Sequence, residues 1–513
     1  MRLSYLIALL FLLPACQSIP QQEESSASSP NIILILADDM GYSDLGCMGA
    51  EIETPNLDAL ADNGMLFTHA YNTSRCCPTR ASLLTGLYQH DAGYGHMDSD
   101  LGSPSYQGRF KEGVVSMPEL LQQADYQTYM LGKWHLGHEV ENTPLNRGFD
   151  RMYGIPKGGG LYFYPCIGRD RQVYLDKKQV FPDSNWYSTD AFTDYAIQFI
   201  GEADQERPFF MYLAYVAPHF PLQARAEDIQ KYRGKYEKGY ESIRQNRFEK
   251  QQQLGIISRE VQLSPADFDR WESLENQSDE ELKMAVYAAQ VDRMDQNIGR
   301  LMESLKKLNL FENTLVLFLS DNGATDVELN TTPGAEFGSR NSWSAYGKNW
   351  ANVSNTPYRK YKAMTHEGGI ITPMIAHWPK GIQQRGSIQS TLVHVLDVLP
   401  TFLEVADVEY PSEKDNIALK PLEGKSFLPT LKNEKTAFDR VLLWEHEGNQ
   451  AVRKGDWKLV RLHNETWELY DLKNDPIELR NVVDDYPEKV KELEQLYKDW
   501  AKAKGVRAWP IQS

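Results

Sequence analysis

The chain has 513 residues, 41% hydrophobic and 24% charged, and its 54 Lys+Arg against 71 Asp+Glu leave a formal net charge of −17. That length exceeds what one hydrophobic core supports, so a large domain with a smaller companion is expected, and the ordinary composition excludes a disordered or fibrous chain. The acidic balance argues against nucleic acid as a partner, which calls for a basic face. An anionic ligand would be drawn in only by local features: a metal, helix amino ends and a few Lys, Arg and His.

Residues 1–16 read as an export segment. Arg2 gives a short positive start, and residues 3–13 are almost all apolar but too short to span a membrane stably. The segment ends Leu13-Pro14-Ala15-Cys16, which is similar to a bacterial lipobox with Cys16 as the lipidated residue. Pro14 departs from that pattern, and a plain signal peptide fits as well. Residues 17–30, rich in Gln, Glu and Ser, read as a flexible tether. A lipid on Cys16 would anchor an otherwise soluble protein to a membrane. The expected location is therefore that of an exported bacterial lipoprotein, periplasmic or at the cell surface. The five cysteines are scattered and give no disulfide framework.

Residues 31–36 (Asn-Ile-Ile-Leu-Ile-Leu) form an apolar run suited to a strand buried on both faces of a parallel sheet, and it ends in Ala37-Asp38-Asp39-Met40-Gly41. Residues 54–66 read as a helix with Pro55 in its first turn. Residues 118–124 and 127–131 read as helix then strand. Residues 208–216 are another buried strand, opening into Ala217-Pro218-His219. Residues 223–280 are highly charged and read as a helical insertion. Residues 280–308 form a long amphipathic helix, with Tyr287, Val291, Met294, Ile298, Leu301 and Leu305 on one stripe. The strand at 314–319 ends Ser320-Asp321-Asn322-Gly323. This alternation predicts an α/β fold: a large, mostly parallel sheet flanked by helices, with ligands at the strand carboxyl ends. From about Ala437 the texture changes to short strands at 441–444, 450–453, 457–462 and 467–471, then a helix at 487–504. The expected domains are 31–435 and a small antiparallel subdomain at 436–513.

Asp38, Asp39, Asp321 and Asn322 offer hard oxygen ligands after two apolar strands, which suits Ca²⁺ or Mg²⁺ better than a soft metal. Either pair alone is an ordinary turn or cap. Between them lies Cys76-Cys77-Pro78-Thr79-Arg80-Ala81-Ser82-Leu83-Leu84-Thr85-Gly86. Alone, Cys76 reads as a small buried hydrophobe. Together, strand-Ala-Asp-Asp-x-Gly, Cys-x-Pro-x-Arg…Leu-Thr-Gly and strand-Ser-Asp-Asn-Gly resemble the type I, formylglycine-dependent sulfatases of the alkaline phosphatase superfamily, in their bacterial arylsulfatase-like branch. The terminal string Leu469-Tyr470-Asp471-Leu472…Asp475-Pro476…Glu478…Asn481 extends the likeness to the small subdomain.

The resemblance implies a sulfuric ester hydrolase. Cys76 would be oxidised to formylglycine by a formylglycine-generating enzyme or an anaerobic maturase. One hydroxyl of its hydrate would attack sulfur and the other would expel the covalent sulfate ester. Asp38, Asp39, Asp321, Asn322 and residue 76 would hold the metal, and Arg80 would stabilise the diol. Leu131-Gly132-Lys133-Trp134-His135-Leu136-Gly137 resembles the segment whose lysine grips sulfate and whose histidine touches the diol. His219, in Pro218-His219-Phe220-Pro221, would meet the leaving oxygen. Lys362, in Tyr361-Lys362-Ala363-Met364-Thr365-His366-Glu367-Gly368-Gly369, would be the second sulfate lysine. His366 stands where many members have Trp and reads as structural. With Cys16 and Cys76 so assigned, one bridge among Cys47, Cys77 and Cys166 stays open.

The implied substrate is an exported or extracellular sulfated glycan fragment or an aryl sulfate. Residues 352–359 and the aromatics Trp343, Tyr346 and Trp350 resemble arylsulfatase-like members, and suit stacking on a ring or plain loop packing equally. Two rivals stand beside this reading. One is a phosphonate monoester or phosphodiester hydrolase of the same superfold. The other is a non-catalytic glycan-binding lipoprotein whose Cys76 is never oxidised.

Overall fold

The computed structural model describes residues 29–137, 139–166, 169–434 and 440–511. The expected export segment, Cys16, most of the tether and the expected boundary between residues 435 and 436 lie outside these. Among the described residues no helix is long and apolar enough to cross a membrane.

The strands of the large sheet are β1 (Asn31–Asp38), β2 (Met65–Tyr71), β3 (Gln127–Lys133), β4 (Arg151–Ile155), β5 (Val173–Leu175), β6 (Lys178–Val180), β7 (Phe209–Pro218), β8 (Thr314–Ser320), β9 (Ile371–His377), β10 (Ser387–Gln389) and β11 (Val393–His394). Their order is β10-β2-β9-β8-β1-β7-β3-β4-β5-β6, with β11 also on β2. The central run β8-β1-β7-β3-β4 is parallel throughout. Antiparallel pairing enters at β9 on one side and at β5 and β6 on the other.

Why β1 sits in the middle follows from its side chains. Ile33, Ile35 and Ala37 point into one buried core, and Ile32, Leu34 and Leu36 into the other. The period of two places apolar residues on both faces, which only a strand covered by helices on each side can bury. β7 repeats the pattern, with Met211 and Leu213 on one side and Phe210 and Tyr212 on the other. The stripe expected from Tyr287 to Leu305 is buried along the helix Gln277–Lys307.

Three readings need correction. The helix expected at 54–66 is Pro55–Asp62, and Met65 and Leu66 begin β2. Asn63-Gly64 ends the helix, and a Cβ on Gly64 would stand 2.2 Å from the Ala376 carbonyl oxygen, so only glycine fits this exit. The insertion is helical at Ala226–Tyr232 and Gly239–Leu254, then irregular apart from the single turn Trp271–Ser273 until the long helix begins at Gln277. β9 went unread because Pro373 argues against a central strand. Here Pro373 sits where the β2–β9 register shifts, between the pairs Phe67↔Met374 and Ala70↔Thr372, so the missing donor falls in an irregularity of the ladder.

The carboxyl-terminal sheet is the antiparallel meander Val441–His446, Asn449–Lys454, Trp457–Arg461 and Glu468–Asp471, followed by the helix Pro487–Lys504. Lys458 of its third strand is fully buried and lies 2.7 Å from both Glu367 and Glu478. Glu367 also accepts a hydrogen bond from Tyr71 at 2.6 Å. This knot ties the small sheet to the loop that follows Lys362. Lys458→Met would leave two carboxylates facing each other without a cation. It is expected to lower the unfolding free energy by about 3–5 kcal/mol, read as a lower thermal midpoint, and an unchanged midpoint would show that the knot does not hold the two parts together.

Candidate active site

The parallel strands deliver their side chains to one edge of the sheet. Asp38 ends β1, Lys133 ends β3, His219 follows β7, and Asp321 and Asn322 follow β8. Registers such as Asp38↔Pro218 and Ala37↔Ser320 set those ends side by side. Asp39 turns out of the strand with φ of 65°. Its amide donates to Asp321 Oδ1 (3.2 Å), and its Oδ1 accepts from Asn322 Nδ2 (2.8 Å).

Across from the strand ends stands the helix Cys76–Thr85. Cys76 opens it, and Arg80, four residues on, shares its face. Arg80 is fully buried. Its Nε and Nη2 donate to Asp321 Oδ2 (3.1 and 2.7 Å), its Nη1 donates to the Lys133 carbonyl (2.9 Å), and its Nη2 lies 3.8 Å from Asp38. Lys133 Nζ donates to Asp38 Oδ2 at 2.5 Å, and Lys362 Nζ donates to Asp39 Oδ1. The Cys76 Sγ and one carboxylate oxygen each of Asp38 and Asp321 lie within 4.8 Å of one another, as do donor atoms of Asp38, Asp39 and His219.

The charges balance by contact. Burial opposes ionisation of Asp39, but Lys362, His219 and the Asn322 amide outweigh it and hold the carboxyl below the usual range. Burial and the neighbouring Asp38 push Asp321 up to about 6, against the pull of Arg80 and Lys133. Desolvation pushes His219 down to about 3 and keeps it neutral, with Asp39 pulling the other way. Its Nδ1–H donates to the Phe220 carbonyl (2.5 Å), which leaves Nε2 facing Asp39 at 3.6 Å. Desolvation, with Lys133 and Arg80 nearby, holds His135 well below its ordinary value.

The donor set fits a hard cation. Asp38 Oδ1, Asp39 Oδ2 and Asn322 Oδ1 are buried acceptors with no hydrogen-bond partner. Unsatisfied buried acceptors are costly, and three of them on the expected ligands mark a place for a positive ion. Neither the lysines nor Arg80 satisfies these three atoms.

Cys76 lies at the floor of a cleft of about 310 Å³, lined also by His135, His219 and Lys362. All the expected site residues thus converge. Sequence reading missed the rim: Arg75, Asp98, Lys157, Arg169, Arg171, Thr325 and Asp326. One signal was available, the run Gly158-Gly159-Gly160. A Cβ on Gly158 would stand 2.1 Å from the His135 ring, so this strap lies flat on the histidine. A larger cavity of about 590 Å³ lies on the far side of Lys157, and none of the expected site residues line it.

The aromatics divide. Tyr346 stacks on Tyr287 (4.5 Å) and Trp350 packs on Tyr240 (4.5 Å) in a buried cluster away from the cleft. Trp343 instead carries the Arg169 guanidinium at 5.1 Å. His366 bonds Glu468 (2.9 Å), in keeping with a structural part. Cys47, Cys76 and Cys77 form no disulfide.

The family model described as Sulfatase matches residues 30–408, and one described as N-sulphoglucosamine sulphohydrolase, C-terminal, matches 359–503. An arylsulfatase of Klebsiella aerogenes is 38% identical over 77% of this chain and 89% of its own. An N-acetylglucosamine-6-O-sulfatase of Bacteroides thetaiotaomicron is 30% identical over 94% and 88%. Among solved structures, Ps i-CgsB in complex with k-i-k-neocarrahexaose superposes with a TM-score of 0.70 at 30% identity, covering 94% of each chain.

Adding Ca²⁺ to metal-stripped protein should raise its thermal midpoint, by the equivalent of about 2.7 kcal/mol at a hundredfold excess over the dissociation constant. Asp39→Asn and Asp321→Asn should shrink that shift. A midpoint indifferent to both Ca²⁺ and Mg²⁺ would refute the cation site.

Proposed function

The chain belongs to the sulfatase family and is a sulfuric ester hydrolase, and on that premise we propose that it removes sulfate from an exported or extracellular sulfated saccharide through a formylglycine at position 76, with aryl sulfates as simpler substrates. One observation carries this reading. The side chain at position 76 opens a helix at the floor of a cleft, beside Asp38 and Asp321, with Lys362, His135 and His219 on the cleft wall and Lys133 bound to Asp38. In the hydrated aldehyde, one oxygen attacks sulfur and the second later expels the bound sulfate. Ca²⁺, or Mg²⁺, held by Asp38, Asp39, Asp321, Asn322 and residue 76, would supply positive charge to the sulfate oxygens.

The remaining work falls to the chain's own groups. Each lysine ammonium has three N–H donors and spends one on its aspartate, so Lys133 and Lys362 keep donors for the sulfate oxygens. Arg80 holds Asp321 and the end of β3 in place, which fixes the distance between the nucleophile and the lysines. His219, oriented by Phe220, turns a basic Nε2 toward the site; it takes up the proton given off by the attacking hydroxyl and passes it to the departing alcohol. His135 lies on the same cleft wall and takes the proton of the second hydroxyl. The assignment of each histidine to its step follows the family resemblance.

A saccharide is favoured over a simple aryl group by the open, polar rim of the cleft and by the saccharide-directed relatives, beside which stands the Klebsiella arylsulfatase. Export, with a lipid on Cys16, belongs to this reading and follows from the amino-terminal sequence. Cys16→Ala should release the protein from membrane fractions.

Peptide mass spectrometry across residue 76 should find a residue lighter than cysteine by roughly 18 Da. Cys76→Ala should abolish turnover with an unchanged thermal midpoint. An unmodified thiol in fully active protein would sink the mechanism, and faster turnover of an aryl phosphonate than of an aryl sulfate would move the chain to a phosphonate hydrolase. His219→Ala should slow sugar sulfates by about 10²–10⁴-fold, with a smaller effect on nitrophenyl sulfate, whose leaving group needs no proton. Equal losses on both would remove His219 from the acid role.

A further inference from the structure

The cleft above residue 76 carries more positive charge than one sulfate group uses. Besides Lys362, its wall holds Arg75, Lys157, Arg169 and Arg171, against Asp98 and Asp326. Lys362 is already matched by Asp39. Among the described residues, none of the other four cations forms a salt bridge. In a chain with a net charge of −17, acids are plentiful, so four basic groups left unpaired on one small wall need a reason.

The two arginines of the 169–171 segment are held in place without being neutralised. Arg169 lies over the Trp343 ring at 5.1 Å, a contact that orients a guanidinium and leaves its charge available. Arg171 lies against the glycine strap. A Cβ on Gly159, whose φ is +88°, would come within 2.7 Å of its Nη2. The Nε atoms of Arg171 and Arg75 are buried and have no partner. Asp98 lies 4.0 Å from His135 and forms no salt bridge with the arginines, although its charge reaches Arg171. Two of these are built features: an aromatic platform under Arg169 and a glycine cut to fit Arg171.

Resting on the sulfatase reading, we propose that Arg169 and Arg171, with Arg75 and Lys157 adjoining, form a second anion subsite, and that the preferred substrate is a saccharide with at least one anionic substituent besides the sulfate ester being cleaved. A guanidinium fork pairs in the same way with a second sulfate or with a uronate carboxylate, so either group meets the requirement.

The test uses the mature enzyme and its Arg169→Gln and Arg171→Gln variants. The substrates are nitrophenyl sulfate, a neutral monosulfated saccharide, a disulfated saccharide and a monosulfated saccharide carrying a uronate. The variants should lose about 10–100-fold in kcat/KM, mainly through KM, on the doubly anionic substrates. They should stay within about twofold on nitrophenyl sulfate, which does not reach the rim. A response confined to the disulfate identifies the second group as sulfate, and one confined to the uronate identifies it as carboxylate. Equal losses on all four substrates, or a wild-type preference for the neutral monosulfate, would overturn the subsite. Calorimetric binding of the same saccharides to Cys76→Ala protein separates this from the chemistry at residue 76. The doubly anionic ligands should bind at least about tenfold tighter than the neutral monosulfate, and Arg171→Gln should erase the difference. No such difference would also overturn it, whatever the turnover result.

Discussion

Three carboxylates buried at adjoining strand ends repel one another, and the catalytic half of this protein is arranged around containing that repulsion. Asp38, Asp39 and Asp321 sit fully or almost fully away from water. No sheet edge tolerates such a concentration of like charge unless cations are built in beside it. Here the answer is distributed. Arg80 holds Asp321 and reaches toward Asp38, Lys133 takes Asp38, and Lys362 takes Asp39. Each cation comes from a different element: a helix, a strand end and a distant loop. Their convergence brings residue 76 to the same place, because Arg80 and Cys76 share one helical face. The groups that make the acids tolerable are thus the groups proposed to grip a sulfate.

Much of this was legible in the sequence, for identifiable reasons. The apolar runs ending in acidic pairs announce β1 and β8 because a strand buried on both faces leaves no polar residue until it reaches the sheet edge. The string around Cys76 fixes a helix start. The rim of the cleft was not legible. Arg169 and Arg171 come from a segment without periodicity, and only the tertiary path of the chain brings them over the glycine strap. β9 was hidden by Pro373, whose missing N–H is tolerated through an irregular ladder. Tyr346 and Trp350 show the converse case. Ring-rich sequence near a site suited ligand stacking and loop packing equally, and the faces of these two rings are taken by Tyr287 and Tyr240.

The overall charge and the local charge oppose each other. A net −17 gives no long-range welcome to a sulfated ligand, and the cationic wall acts only at short range, within about 8 Å at physiological ionic strength. With the proposed subsite, selection of substrate falls after encounter, by how many charged groups find a partner inside the cleft. A field that repels at a distance and attracts at contact also favours departure of the freed sulfate once it leaves the lysines.

The buried lysine of the carboxyl-terminal sheet has a consequence for how the protein comes into being. Glu367 closes the loop that carries Lys362, and its carboxylate is matched by Lys458, close to a hundred residues further along the chain. A ribosome-bound chain that has exposed the whole parallel sheet but not yet this lysine holds an acid with no counter-charge under one wall of the cleft. The counter-charge of this loop is thus supplied by the last part of the chain to be made.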